Sequence, residues 1–399
     1  MFIKKIVNEI KSLSVGYFIV AAIAAAGLAV GAYRLYAGLG ETTNLSKAFP
    51  WGIWISFDLS TVAFSGGAFT LAALVYVFHL HELHPAVRPT VLAGLIGYSS
   101  VLVILFMDLG RWDRFYHFLI YPNLNSALFE VSWCIALYST ILIYELSPVF
   151  LKNSRFSNIL PIIEKWTIPL VIAGVTLSTL HQSSLGTLFV IMSSRLHPLW
   201  YSMLLPVFFL ILSLAAGLAM VTAGAVISYV VFKRTLPENV MAELVWFIPW
   251  VLGVYLVLKL GELEITDELH LMFSSGMYSV LFLAELIIGV LIPIILFSFK
   301  KVRHNRVGVL VGAGFVLVGT VLNRFNVSWF AMRPVNGEVY SPHWMEVAIL
   351  VGVVATAVLA YSLVAHYFPL FDETVVVTPA QTRARSNPRA ILSPEATGD

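Results

Sequence analysis

Ten apolar segments, each long enough to cross a bilayer, constrain this chain more than any other feature of its sequence. A transmembrane helix needs about 20 predominantly apolar residues to span the hydrocarbon core. The sequence therefore predicts an all-α integral membrane protein whose ten transmembrane helices form a bundle. The approximate boundaries of the segments are 14–36, 51–79, 88–110, 126–147, 161–183, 201–232, 240–261, 275–299, 307–325 and 343–367.

The composition agrees with a membrane protein and excludes several kinds of site. Hydrophobic residues make up 59% of the 399 residues and charged residues 12%, about half the share of charged residues in soluble proteins. A net charge of +2 argues against a nucleic-acid partner. Cys134 is the one cysteine, which excludes an internal disulfide, an iron–sulfur cluster and a cysteine-based zinc site. Any redox chemistry must then use a cofactor held without thiolates or a bound organic carrier.

The distribution of basic residues predicts the orientation. An even number of spans places both termini on one side. Sixteen of the 24 Lys and Arg residues lie near the N-terminus, in or beside the loops after even-numbered spans, or in the C-terminal tail. The positive-inside rule then places both termini in the cytoplasm. The five loops near 37–50, 111–125, 184–200, 262–274 and 326–342 face outward.

The N-terminal and C-terminal segments receive different interpretations. The basic start, with Lys4, Lys5 and Lys11, leads into a run long enough to span, so we expect a retained first helix rather than a cleaved signal peptide. The sequence predicts a ten-helix transmembrane domain over 1–370. Residues 371–399 contain Pro, Ser and Arg without an apolar period, which is typical of a disordered tail, cytoplasmic in this orientation.

Ionisable and polar residues gather near the predicted outer ends of the helices. Asp58 lies about two turns into the second segment, Asp108 ends the third, and Glu130 lies about one turn into the fourth. His181 ends the fifth segment in "HQSS", and Glu262 ends the seventh. Because charged groups are costly inside a membrane, such residues are candidates for function. We expect one shared polar layer in the outer third of the membrane.

Each candidate also has a purely structural interpretation. Asp108 and Arg111 are three residues apart, share a helical face and can form an interfacial ion pair. Glu130 can cap its helix or pair with Arg111. Glu285 lies in the middle of the eighth segment, either as a proton-relay carboxylate or as a contact between helices. Asp58 is harder to explain structurally, since an isolated carboxylate at its depth costs a few kcal/mol.

The histidines bear on whether the subunit holds haem. A transmembrane b-type haem needs two histidines at matching depth on facing helices. His181 has no helical partner at its level, whereas His79 and His366 share the cytoplasmic level and leave one haem as an open alternative. His81 and His84, with His79, form a short "HLHELHP" segment that we interpret as a solvated loop rather than a metal site. We therefore expect no haem and no metal ion.

Seven motifs occur in order from the second to the seventh helix. They are "AFPWGIWISFDLS", "HPAVRPTVLAGLIGYSS", "DLGRW", "NSALFE", "TLHQSSLGTL", "HPLWYSMLLPVF" and "KLGEL". Together they resemble the NrfD/PsrC family of quinone-interacting membrane subunits. Within it the resemblance is greatest to the integral membrane subunits of hydrogenase-2-type nickel–iron hydrogenases, and it is looser in the C-terminal third.

The resemblance implies a role in a respiratory complex. Such subunits hold no metal of their own. They dock a peripheral, ferredoxin-like iron–sulfur subunit on the outer face and exchange its electrons with membrane quinone. For this chain the resemblance implies a bacterial inner-membrane location, with the partner complex on the periplasmic face. A nickel–iron hydrogenase pair of large and small subunits would supply electrons through the iron–sulfur partner.

The polar layer supplies candidates for the chemistry of a quinone, menaquinone or ubiquinone. A two-electron reduction needs two protons, which a histidine or a carboxylic acid within hydrogen-bond reach can supply. We expect Asp58 and His181 to be catalytic. The remaining hypotheses assign further quinone-binding residues, namely Trp54, Asp108, Arg111 and Glu130, and proton-transfer candidates, namely Glu130, Glu262 and Glu285.

Three other functions remain as alternatives. The first is the membrane subunit of another oxidoreductase of this family, resembling polysulfide reductase or alternative complex III. The second is a secondary transporter, although neither an inverted repeat nor paired Gly/Pro-broken helices is evident. The third is a passive anchor, which would not need Asp58 or a polar layer drawn from several segments.

Overall fold

The computed structural model describes residues 15–152, 155–232, 238–334, 338–368 and 370. Within them, 10 helices are long and apolar enough to cross a membrane, which confirms the predicted all-α architecture. The segment 1–14 and the tail 371–399, for which we predict a basic start and disorder, lie outside the described residues. The ten helices are α1 Val15–Ala37, α2 Ile53–Val77, α3 His84–Asp108, α4 Ala127–Leu151, α5 Ser157–Val190, α6 Leu205–Ile227, α7 Met241–Ile265, α8 Met277–Ser298, α9 Arg306–Phe330 and α10 Trp344–Tyr367.

The helices pack as two groups of four and one outlying pair. Helices α2 to α5 contact one another in sequence, and helices α6 to α9 form the second group, with α6 also packed on α9. Helix α2 lies against both α6 and α9 and joins the groups. Helices α1 and α10 pack on each other and on α3. The outer ends of α1 and α10 therefore meet the outer ends of α2 and α3, at one side of the first group.

The pairing of α1 with α10 depends on small residues. An ideal Cβ atom built on Gly27 would lie 2.4 Å from the Cα atom of Gly352. Close backbone approach of this kind is a common way for helices to associate in membranes, where apolar burial between helices provides little driving force. The face of α1 that bears Gly27 is buried and continues through Gly31 to Arg34.

Three helices contain irregular turns. Helix α2 is interrupted near Gly66 and ends in a π-helical segment, Ala73–Val77. Helix α8 contains a π segment at Ile287–Leu291, and α9 ends in another at Asn326–Phe330. Insertions of this type bend a helix and are frequent at functional sites. The two segments in α8 and α9 follow directly on residues of a buried polar cluster described below.

The outer ends of the helices differ from the sequence prediction at α5. This helix continues to Val190, seven residues beyond the predicted end at 183, so the "HQSS" segment lies inside a helix. The following loop is held against the α9–α10 loop: the His197 backbone N–H donates to the Ala331 carbonyl at 3.0 Å. Arg195 Nη2 also donates to the Ala48 carbonyl at 2.6 Å. Three outer loops are thereby tied together.

Candidate functional site

Asp58 and His181 are buried ionisable side chains of the first four-helix group whose polar atoms are unsatisfied, as are the Glu145 carboxylate, the Tyr98 hydroxyl and Asp108 Oδ1 in the same group. Asp58 is 5% exposed and His181 is 0% exposed. Both carboxylate oxygens of Asp58 and both ring nitrogens of His181 lack a hydrogen-bond partner in the described structure. Buried polar groups are nearly always hydrogen-bonded, because an unpaired one costs about 1–3 kcal/mol. The pair therefore marks a place where a polar ligand would be stabilised.

The contact between α2 and α5 brings this pair to neighbouring turns. Gln182 Nε2 donates to the Val62 carbonyl at 3.0 Å, across the two helices. Val62 is one turn after Asp58, and Gln182 follows His181 directly. The α5 turn that carries His181 thus lies against the α2 turn next to Asp58. This arrangement agrees with the prediction that the two residues share one layer, although no direct bond joins them among the described contacts.

Two buried tyrosines complete the site, and the sequence analysis did not identify them. The ring of Tyr98 in α3 meets the His181 ring edge-on, with centroids 5.7 Å apart. The rings of Tyr98 and Tyr138 are 4.3 Å apart, and both residues are 0% exposed. The Tyr138 hydroxyl donates to the Ser65 carbonyl at 3.4 Å. A tyrosine within each of two apolar segments, α3 and α4, was the signal that could have identified them.

The predicted ion pair between Asp108 and Arg111 is wrong. Arg111 donates through Nε and Nη2 to Asp113 at 2.9 and 2.8 Å, and its side chain is 65% exposed. This bond raises the pKa of Arg111 and lowers the pKa of Asp113 to about 2. Helix α3 ends at Asp108, so the three-residue helical spacing no longer applies beyond it. The structure gives Asp108 a different cationic neighbour, Arg34.

The predicted pairing of Glu130 with Arg111 is also wrong. Glu130 accepts a 2.6 Å hydrogen bond from the Ser184 hydroxyl and so ties α4 to α5. The helix cap is supplied by Ser126, whose side chain accepts from the Phe129 N–H. Since Ser184 is one turn from His181, Glu130 lies at the edge of the site while Arg111 lies outside it.

Trp54 is placed at an interface between helices. Its side chain is 1% exposed, and its indole Nε1 donates to the Glu346 carbonyl at 3.0 Å. The indole N–H is therefore already used in holding α2 against α10. If Trp54 binds quinone, the contact must be made by the face of its ring and not by the indole N–H.

A second polar cluster lies in the other four-helix group, around Glu285 of α8. Its carboxylate accepts from Trp200 Nε1 at 2.8 Å, Asn323 Nδ2 at 2.8 Å and Asn326 Nδ2 at 2.7 Å. Arg324 is 0% exposed, and its guanidinium lies 3.5 Å from the centroid of the Phe209 ring. The contacts bear out a role for Glu285 between helices, and its proton-transfer role stays a prediction.

Glu262 is paired within its own helix. It accepts from Lys259 Nζ at 3.2 Å, and the Lys259 side chain is 3% exposed. Helix α7 continues to Ile265, so this pair lies one turn inside the helix rather than at its end. Arg34, Lys259 and Arg324 are among the basic residues outside the predicted cytoplasmic set, and we predicted no specific role for them. A cation within an apolar run was the signal that could have identified them.

The comparisons with known proteins agree with this architecture. A family model described as "Polysulphide reductase, NrfD" matches residues 41–332. A protein of Nitratidesulfovibrio vulgaris is 37% identical over 92% of this chain and 97% of its own length. The probable Ni/Fe-hydrogenase 2 b-type cytochrome subunit of Escherichia coli is 33% identical over 84% of this chain and 87% of its own. The integral membrane subunit of menaquinone reductase from N. vulgaris is 30% identical over 86% and 88%.

The second of these relatives overturns one prediction. We expected no haem, but the E. coli relative is named a b-type cytochrome subunit, which points to haem. The expectation of no haem rested on the lack of a second histidine level with His181, and it gave too little weight to His181 as a possible ligand. With two buried, unpartnered ring nitrogens, this imidazole could hold a haem iron through one of them.

Proposed function

This chain belongs to the NrfD family, and from that premise we propose that it passes electrons between a peripheral iron–sulfur subunit and quinone in the bilayer. The chain is an NrfD-type membrane subunit of an oxidoreductase complex, like its hydrogenase and menaquinone reductase relatives. The finer proposal is a respiratory hydrogenase whose other subunits lie on the periplasmic face of the inner membrane. Its single strongest support is the unsatisfied Asp58–His181 pair, buried where α2 packs on α5.

The chemistry follows from what this pair can do with a quinone. Each carbonyl of a quinone accepts a hydrogen bond, and two-electron reduction adds one proton to each oxygen. A neutral His181 can donate one ring N–H, and a protonated Asp58 can donate its O–H. In the reverse direction, the same two groups accept the protons of a quinol. Glu130, held by Ser184, and Glu262 and Glu285 are the proposed next groups for proton exchange.

The proposed partner surface is the exposed outer loop between α3 and α4. Aromatic and aliphatic side chains there are exposed, among them Trp112 at 40%, Phe115 at 54% and Tyr121 at 69%. This loop and the loop after α5 hold outward-facing residues that a peripheral subunit can cover. Because no cysteine but Cys134 is present, the iron–sulfur cluster must belong to that partner.

The test separates quinone chemistry from donor chemistry. In the intact complex, Asp58→Asn and His181→Ala should lower hydrogen-dependent quinone reduction by at least about tenfold, as expected when a group that transfers a proton is removed. Hydrogen-dependent reduction of a soluble dye should not change. Glu82→Gln, which removes an exposed carboxylate from the loop between α2 and α3, is the matched control and should leave both activities intact. Full quinone activity in both site variants would place the quinone elsewhere.

The relationship to the menaquinone reductase subunit favours a second candidate for the complex. A menaquinone-reducing complex with a different electron donor would use the same quinone site. Menaquinone reduction with a donor other than hydrogen, together with the absence of hydrogenase subunits from the purified complex, would support this candidate over the hydrogenase.

A bound haem is a second proposed feature of the site, carried by the name of the E. coli relative. His181 would hold the iron through one ring nitrogen, and a haem there would supply single-electron transfer between the donor and quinone. The reduced-minus-oxidised spectrum of the complex tests this proposal. We expect a b-type band in the unsubstituted protein that is lost in His181→Ala. A protein whose spectrum lacks the band would refute it.

A further inference from the structure

Arg34, near the end of α1, occupies a position that the proposed function does not yet use. It is one turn beyond Gly31 on the buried face of α1. An ideal Cβ on Gly31 would lie 3.3 Å from Met107 Cε, and Arg34 Nη2 donates to the Leu109 carbonyl at 2.7 Å. These two contacts are to the residues on either side of Asp108. The guanidinium is therefore held beside the last residue of α3.

The guanidinium of Arg34 is buried without enough partners. Its side chain is 0% exposed, and its Nε and Nη1 atoms have no hydrogen-bond acceptor in the described structure. The Oδ1 atom of Asp108 is likewise buried without a donor. A guanidinium has five N–H donors, and a buried charge is costly unless it is paired. The guanidinium therefore makes few of the hydrogen bonds that a purely structural role would use, and its positive charge can act on neighbouring ionisable groups.

The charges around Arg34 connect it to the proposed quinone site. Asp108 interacts electrostatically with Arg34 from α1 and with Glu346 from α10. Trp54, one turn before Asp58 in α2, packs in one buried cluster with Met107, the residue directly before Asp108 in α3, so the two carboxylates lie on nearby turns of facing helices. Tyr340, whose hydroxyl binds Glu346, also lies near Asp108, whereas Glu130 of α4 is bonded to Ser184 of α5. Helix α6 has no ionisable residue between 205 and 227.

We propose that Arg34 is a positioning residue of the quinone site, whose positive charge sets how tightly the Asp58–Asp108 pair holds the proton exchanged with quinone. The inference rests on the proposed function and deepens it. Among the described groups that act on this carboxylate pair, Arg34 is the cation, whereas Glu346 is an acid. Two coupled carboxylic acids titrate as a pair, so a change in the nearby charge shifts the pH dependence of the pair as a whole.

A structural interpretation of Arg34 competes with this proposal. The bond to the Leu109 carbonyl could serve only to hold the end of α3 against α1. The two roles differ in what they require. Capping requires a donor, which glutamine also supplies, whereas the proposal requires a positive charge, which lysine also supplies. The variants Arg34→Gln and Arg34→Lys therefore separate them. Lys301→Gln is the matched control, because it removes an equal charge from an exposed side chain in the loop between α8 and α9.

The experiment measures quinone activity of the intact complex against pH, with dye reduction as the donor control. For Arg34→Gln, we expect the limb of the profile that belongs to the carboxylate pair to move upward by about one pH unit or more, because loss of a cation favours the protonated form. Arg34→Lys and Lys301→Gln should follow the unsubstituted protein. Dye reduction should not change in any variant.

Each outcome decides the proposal. A profile of Arg34→Gln that coincides with the unsubstituted protein, while Asp58→Asn loses quinone activity, would refute the role of Arg34 and leave the proposed function intact. Full quinone activity of Asp58→Asn would refute both. If Arg34→Gln does not assemble, Asp108→Asn decides instead. Removing that negative charge should move the same limb downward, and an unchanged limb would overturn the proposal.

Discussion

Substitution of Gly319 by alanine should separate α8 from α9 and disturb the Glu285 cluster. An ideal Cβ on Gly319 would lie 1.9 Å from the Cα atom of Gly289. Carbon atoms that are not bonded pack at about 3.5–4.0 Å, so the backbones must move apart by roughly 1.5–2 Å. Asn323 follows Gly319 by four residues, and Glu285 precedes Gly289 by four. Their hydrogen bond of 2.8 Å spans the same interface and would be lost by a movement of that size.

The expected loss of stability has two parts. Overpacking a well-packed interface costs about 1–3 kcal/mol. A hydrogen bond between membrane helices contributes about 0.6–1.7 kcal/mol. Gly319→Ala should therefore lower the free energy of unfolding by roughly 2–5 kcal/mol. It should do so although alanine is intrinsically a better helix former than glycine.

A matched substitution in the same helix makes the measurement specific. Gly314 also lies in α9, but an ideal Cβ there has no atom within 4 Å. Gly314→Ala should be neutral, or stabilising by up to about 1 kcal/mol, because it gains helix propensity without a clash. Both variants would be unfolded in the same detergent and compared with the unsubstituted protein. Equal stability of the two variants would refute the close approach of α8 and α9.

Three further predictions concern orientation, pH and the second polar cluster. A reporter fused after Asp399 should be active only in the cytoplasm, because basic residues are concentrated on that side, and periplasmic activity would contradict the orientation. Burial, aided by the charge of Arg333, lowers the pKa of His197 to about 4, below its usual 6.5. The folded state therefore favours neutral His197. The stability that this preference contributes is complete above about pH 6.5 and is lost as pH falls through about 4. His197→Phe should lack this part of the pH dependence of unfolding, and identical pH profiles for the variant and the unsubstituted protein would contradict the prediction. Glu285→Leu should destabilise the protein more than Glu285→Gln. Leucine leaves three buried donors unpaired at about 1–3 kcal/mol each, whereas glutamine keeps one acceptor oxygen. Equal melting temperatures of the two variants would contradict this prediction.

The ten spans and the family could be predicted from the sequence because both are local properties. Hydropathy is summed over about 20 consecutive residues, and each motif lies within one segment. The same is true of the candidates Asp58 and His181, since a carboxylate or an imidazole within an apolar run is unusual wherever its neighbours lie. The predicted end of α5 was the main local error. The segment "HQSS" resembles a helix end, but in the structure it lies within the helix and is hydrogen-bonded to α2 and α4.

The tertiary structure decided which charged side chains lie next to one another. Sequence spacing paired Asp108 with Arg111, but α3 ends at Asp108, and Arg111 turns away to Asp113. The cation that reaches Asp108 comes from Arg34, 74 positions earlier in the chain. Such a neighbour depends on how α1, α3 and α10 cross. The close approach of glycine backbones fixes the crossing of α1 with α10. A hydropathy pattern records that a helix crosses the membrane, but the facing residues are set by the angle and depth at which helices meet.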